Sequence, residues 1–225
     1  YHPAEGIILL GTNLSADEVE SIQQIHPTVV LLDVFFPSLN VESVVMNNYM
    51  GAAQAASLVR RLGHVQVGYV GSHQRIPNFD QRRATFEEKI KAAGLEIARE
   101  HKWFVRPTID GAREDMTVQL RSTDALPTIA FCENDYLAIG LIKACVERGV
   151  GGPGQHTGEG HDGRQQSSVV QPELTTIRVD KRRMASTALS QLINLAESGE
   201  RATKTSCLIG TTLVERDSTS TPRSK

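Results

Sequence analysis

Short apolar runs with no polar face alternate along this chain with longer amphipathic segments, and that alternation restricts the architecture more than any other feature. Gly6-Ile7-Ile8-Leu9-Leu10-Gly11 is a buried-strand run closed by glycine. Ser15 then offers an N-cap, with Asp17 and Glu18 in the first turn of a helix that the pattern carries to Ile25. Segments 29–33 and 41–46 read as strands. Segment 47–62 reads as a helix with Gly51, Ala52, Ala55 and Ala56 along one side, closed by Gly63. The order then recurs, with strands at 65–71 and 127–132 and helices at 81–93 and 135–148, closed by Gly94 and Gly149. A strand at 174–179, a helix at 184–198 and a final strand at 208–214 complete the pattern. Strands apolar on both faces, separated by helices, require parallel sheet covered on both sides. The fold class is α/β.

With 225 residues the chain accommodates one large domain or two smaller lobes. Its 24 basic and 26 acidic residues leave a formal charge of −2, which gives no argument that this segment alone binds nucleic acid or an anionic membrane. Cys132, Cys145 and Cys207 are scattered and lack a C-x-x-C pair. That suggests neither a disulfide framework nor a zinc site, and fits a reducing cytoplasm. No apolar run approaches the roughly 18 residues of a membrane span. The opening Tyr1-His2-Pro3-Ala4-Glu5 has no initiator methionine, basic n-region or apolar h-region, so the chain reads as a fragment or processed piece without a secretory signal. The tail at 218–225 reads as disordered.

Several stretches invite a chemical reading. The glycine-rich run at 149–158 follows a helix and lacks the Lys-Ser/Thr of a phosphate loop, so it reads as a flexible connection. His156, Glu159, His161 and Asp162 have no i, i+4 spacing on a regular element, and a loop suits them better than a metal site. There is no G-x-S-x-G elbow, and Ser43 and Ser72 have no evident base, so nothing nominates an enzyme and no cofactor is called for. Arg82-Arg83 falls at the opening of the expected helix, where a cation is unfavourable. Such an arginine either faces solvent or points at an acid or ligand beyond the strand ends. Trp103, the only tryptophan, reads by residue type as core.

In their order and spacing, a set of pieces resembles the effector domains of the LacI/GalR family of transcription regulators. They are Glu5-Gly6-Ile7-Ile8-Leu9-Leu10, Leu62-Gly63-His64, Gly68-Tyr69-Val70-Gly71, Arg82-x-x-Thr85-Phe86, and Pro127-Thr128-Ile129-Ala130-Phe131-x-x-Asn134-Asp135-x-x-Ala138-x-Gly140. Gly160-His161-Asp162, Pro172-Glu173-Leu174-Thr175-Thr176-Ile177 and the ending Leu213-Val214-Glu215-Arg216-Asp217-Ser218-Thr219 continue the likeness over almost the whole chain. The resemblance implies a two-lobe, periplasmic-binding-protein type I-like fold with parallel sheets flanked by helices. Residues 1–46 and 178–206 would form part of the N-terminal lobe, and 47–177 with 207–217 the C-terminal lobe. The rest of the first lobe and a helix-turn-helix that contacts operator DNA would precede Tyr1.

The same resemblance implies a small molecule held between the lobes. Asp33 stands for the family's N-lobe carboxylate, Asn78 and Arg82 for a polar residue and an arginine before its Gly-aromatic pair, and Trp103 for an aromatic that stacks on the ligand. Asn134 and Asp162 stand for an amide and a carboxylate that bind hydroxyls. Thr85 replaces the family's glycine, His161 its aromatic, and Gln155-His156-Thr157-Gly158-Glu159 makes a poor strand. Carboxylates, an amide and a guanidinium at strand ends suit a mono- or disaccharide better than a sugar phosphate or a purine. The implied protein is a cytoplasmic, non-enzymatic sensor acting as a homodimer, with the helices from Ser15 and Asn47 as candidate contact surfaces. A sugar-binding protein of a transport system shares the fold and is the alternative; the Leu174–Ile177 segment and the chain ending favour the regulator.

Overall fold

The computed structural model describes residues 5–123, 125–149, 157–161, 171–198 and 204–222, with the backbone alone at 157–161. The chain divides into two compact units, 1–47, 76–78 and 179–210 in the first and 48–75, 79–178 and 211–225 in the second.

In the first unit, β1 (Ile7–Leu10), β2 (Val29–Leu32), β3 (Glu42–Met46) and β9 (Ser206–Ile209) form a sheet in that order, every pairing parallel. Alternate residues of β2 serve opposite faces, as a pleat requires. Val29 and Leu31 pack with Val19 of α1 (Ala16–Ile25), and Val30 and Leu32 with Met184 and Ala188 of α6 (Lys181–Ser198). Helix α1 begins with a reciprocal capping box: the Ser15 hydroxyl accepts from the Glu18 amide, and Glu18 Oε2 accepts the Ser15 amide at 2.8 Å.

The second unit holds six strands, β4 (Val67–Ser72), β5 (Lys102–Val105), β6 (Ile129–Cys132), β7 (Thr157–His161), β8 (Thr175–Val179) and β10 (Thr211–Val214), in the order β10-β8-β7-β6-β4-β5. Val67 and Tyr69 of β4, with Ile129 and Phe131 of β6, face a cluster built with α2 (Asn48–Leu62) and α3 (Pro77–Ala92). Val70, Ala130 and Cys132 face the opposite cluster, built with α4 (Ile109–Arg121) and α5 (Asp135–Glu147). The expected α/β architecture of parallel strands covered on both sides is therefore present.

Several expected details shift. The small side of α2 is not an exposed contact surface. Ala52, Ala55 and Ala56 lie in its own unit's core, where their size lets the helix sit close on the sheet. Helix α3 starts at Pro77, four residues earlier than the apolar pattern suggests, because proline's fixed φ suits the first helical position. Strand β5 and helix α4 lie where the pattern announces no element. The poor strand composition at 157–159 is overridden by pairing on both sides, with β6 and β8. The rest of the glycine-rich run, at 150–156, lies outside the described residues.

The single strand expected at 208–214 is two strands broken at Gly210, one in each sheet. The expected disordered tail is held as far as it is described. The Ser218 amide donates to Glu173 O at 2.8 Å, Ser218 Oγ accepts the Thr175 amide at 2.8 Å, and His64 Nε2 lies 2.8 Å from Ser220 O.

Helices α4 and α5 touch through Gly140, where an added Cβ would lie 2.5 Å from Ala112 Cβ and 2.9 Å from both the Arg113 amide and the Ile109 carbonyl. Two of those neighbours are backbone and cannot rotate away. Gly140→Ala should therefore destabilise the protein by about 1–3 kcal/mol despite alanine's better helix propensity. Urea unfolding checks this; an unchanged or raised midpoint would mean that the two helices separate freely.

Candidate functional site

In both sheets polar side chains of the candidate site lie directly after the strands, at Asp33 after β2 and at Glu133 and Asn134 after β6. In the first unit the chain turns out of β2 at Asp33, which adopts φ 66°, the left-handed region that aspartate tolerates better than most residues. Its carboxylate is held from two sides. Thr12 Oγ1 donates to Oδ2 at 3.0 Å, and Asn78 Nδ2 donates to Oδ1 at 3.2 Å and to the Asp33 carbonyl at 3.0 Å. Both oxygens of the carboxylate accept, so the clamp fixes the orientation of the group.

In the second unit β4 and β6 end side by side at a buried polar cluster. Glu133, directly after β6, has no exposed surface. Its Oε1 accepts the Tyr69 hydroxyl and its Oε2 the Ser72 amide at 2.6 Å, with Arg75 Nη1 3.8 Å from Oε1. The Glu133 carbonyl accepts from Arg82 Nη1 at 2.6 Å. Arg82 Nε donates to Asn48 Oδ1 at 2.9 Å, and Asn48 Nδ2 donates to Gln81 Oε1 at 3.0 Å. The next residue, Asn134, caps α5: its Oδ1 accepts the Leu137 amide at 3.0 Å, and its Nδ2 is the donor end of the same amide. Asp135 accepts from the Thr176 hydroxyl at 2.7 Å.

Desolvation dominates the charge state of Glu133 and pushes its carboxyl above the usual carboxylate range. The hydrogen bonds from Tyr69 and Ser72 and the charges of Arg75 and Arg82 pull the other way. Burial, then the neighbouring Glu133 carboxylate, pushes the Tyr69 phenol far up, so it stays a donor.

Of the six expected site residues, Asp33 and Asn78 touch each other, and Arg82 and Asn134 are joined through Glu133. Arg82 is not at a helix opening; it lies in the second turn of α3 and is 2% exposed, with Phe79 beneath its guanidinium. Trp103 belongs to the core. It pairs with Val70 in the ladder, and the pleat turns both toward Ala112, Met116 and Leu120, leaving the indole 4% exposed and without a face for a ligand. Asp162 lies outside the described residues. Residue type does not single out Glu133, Tyr69, Ser72 or Thr12. The one available signal is a charge directly after the apolar Ile129-Ala130-Phe131-Cys132 run. Among the described residues no group of three or more metal-ligating side chains occurs. No helix among them is long and apolar enough to cross a membrane.

Parallel sheets covered on both faces, with oriented carboxylate, amide and guanidinium groups at the strand ends, define a small-ligand-binding α/β protein. The profile of the periplasmic binding protein-like domain family matches residues 56–219, and the chain belongs to that family. It is 27% identical over 222 residues to the HTH-type transcriptional regulator GalR of Salmonella typhimurium (strain SL1344), covering 98% of this chain and 64% of the regulator. It is 24% identical over 215 residues to the HTH-type transcriptional repressor CytR of Escherichia coli K12, covering 96% and 62%. The crystal structure of a LacI family transcriptional regulator from Enterococcus faecium with bound ribose superposes with a TM-score of 0.84 at 20% identity, covering 98% of this chain and 81% of that one. These likenesses make the chain a LacI/GalR-type effector-binding domain, which spans about two thirds of the length of the regulators it matches.

The raised Glu133 carboxyl has a signature in stability. Between its ordinary value of 4.5 and the raised native one, the folded protein binds more protons than the unfolded chain, so this group's contribution falls as pH rises through that window. Urea unfolding from about pH 4 to about pH 8 should show wild type losing stability relative to Glu133→Gln as pH increases. A difference that grows with pH would mean that the hydrogen bonds outweigh desolvation.

Proposed function

We propose that this chain is the ligand-sensing part of a bacterial transcription regulator, binding a mono- or disaccharide through Asp33 and Asn134, which follow strands, and Asn78 and Arg82 of α3. Ligand binding then controls operator binding by a helix-turn-helix outside this sequence. The coupling is a difference in ligand affinity between conformations. The reading places the protein in the cytoplasm as a homodimer and gives it no catalytic step.

The observation that carries the reading is the clamp on Asp33. A non-glycine residue held in the left-handed region costs on the order of 1–3 kcal/mol, and such conformations persist where neighbours over-determine them, often at ligand sites. Thr12 and Asn78 supply that determination, and the product is an oriented acceptor beside the end of β2. Asp33 is an acceptor group and Asn134 Nδ2 a donor group, and sugar hydroxyls both donate and accept. The ribose in the Enterococcus faecium structure supports the same ligand class.

A thermal-shift series on this chain with D-ribose, D-galactose, sugar phosphates and nucleobases tests it. A cognate sugar at about a hundred times its Kd should add about 2.7 kcal/mol, growing with concentration. Asp33→Asn should remove most of that gain, since the amide puts a donor where Thr12 and Asn78 already donate. Stabilisation by phosphorylated compounds or nucleobases alone would overturn the sugar assignment.

A further inference from the structure

Glu133 sits between Arg82 and Asn134, two of the proposed ligand groups, yet it is fully buried and cannot itself reach a ligand. A carboxylate in such a place is costly unless its neighbours require it. Here they do: two donors from β4, the Tyr69 hydroxyl and the Ser72 amide, point at its two oxygens. Its carbonyl takes the Arg82 guanidinium, and its peptide leads straight into the Asn134 cap. Arg75 stands 3.8 Å from Oε1 and is itself paired with Asp80. The contacts of Glu133 with Tyr69, Ser72 and Arg82 join elements far apart in sequence: β4, the second turn of α3 and the β6–α5 junction.

We propose that Glu133 is a positioning residue for ligand recognition: its carboxylate ties the end of β4 to the end of β6, and its main chain thereby sets Arg82 and Asn134. The inference rests on the ligand-sensing role proposed above. The requirement is for two acceptor oxygens. A glutamine offers one and must present its amide group to either Ser72 N–H or Tyr69 O–H, so the side chain turns and the peptide at 133 follows. An alanine would leave both donors and the space unfilled.

The test compares wild type with Glu133→Gln by hydrogen-exchange mass spectrometry on the whole chain, and by thermal shift with D-ribose and D-galactose. Exchange should accelerate at 72–75 and 134–138 and nowhere else, with circular dichroism unchanged. Whichever sugar stabilises wild type should bind the variant at least about tenfold more weakly, while the ligand-free Tm moves little, as for one lost hydrogen bond to a charged group. A merely space-filling role would leave both the Tm and the affinity of this isosteric variant unchanged, and unchanged affinity overturns the proposal. So does unchanged exchange at both segments. If neither sugar shifts wild type, the sugar reading fails on its own account. Exchange then decides this one: acceleration confined to the two segments supports it, and uniform or absent acceleration refutes it. Should Glu133→Gln not fold, Tyr69→Phe removes one donor without changing shape. It should loosen the same two segments to a smaller degree, and no change there is again a refutation.

Discussion

Burial of parallel sheets on both faces governs everything else in this protein. A strand of β4 or β6 sends Val67, Tyr69, Ile129 and Phe131 into one helical layer and Val70, Ala130 and Cys132 into the other. Little of either face is left for a ligand, and the polar groups of the candidate site lie where the backbone leaves the sheet or in the helix that follows. At the carboxyl ends, Asp33, Glu133 and Asn134 follow from the same packing that makes the cores.

This division explains what could be read in the residues and what could not. The capping box at Ser15 and Glu18 and the apolar runs of β2, β4 and β6 are local signals, legible because a few adjacent residues contain the whole cause. Strand β7 is different. Its Thr157-Gly158-Glu159 stretch has poor strand character and exists because β6 and β8 flank it. Helix α4 carries Asp110, Arg113, Glu114 and Asp115 on a short amphipathic frame, and that charge density conceals its buried Ala112, Met116 and Leu120.

The candidate site divides the same way. Asp33 and Asn134 enter only through the family resemblance, and each stands just after an apolar run. Residue type reads Trp103 as core and the resemblance as a ligand-stacking ring; the register with Val70 sends it inward, in line with residue type. Arg82 stands out in the sequence, but its surroundings depend on an early helix start at Pro77 that the apolar period does not mark. Glu133 was invisible because its partners Tyr69 and Ser72 come from another strand.

The break at Gly210 also bears on how the protein is made. Strand β9 completes the first sheet by pairing with β3, so Ser43 meets Ser206 across 163 positions, and β10 joins the second sheet only after that. Helix α6, which covers one face of the first sheet, is also late in the chain. A ribosome therefore exposes β1, β2 and β3 long before the elements that cover and extend them emerge. Non-local closure of this kind slows folding and leaves apolar surface open in the meantime. The segment at 181–209, far from the candidate ligand groups by sequence, is the step at which a growing chain stops being a client for chaperones.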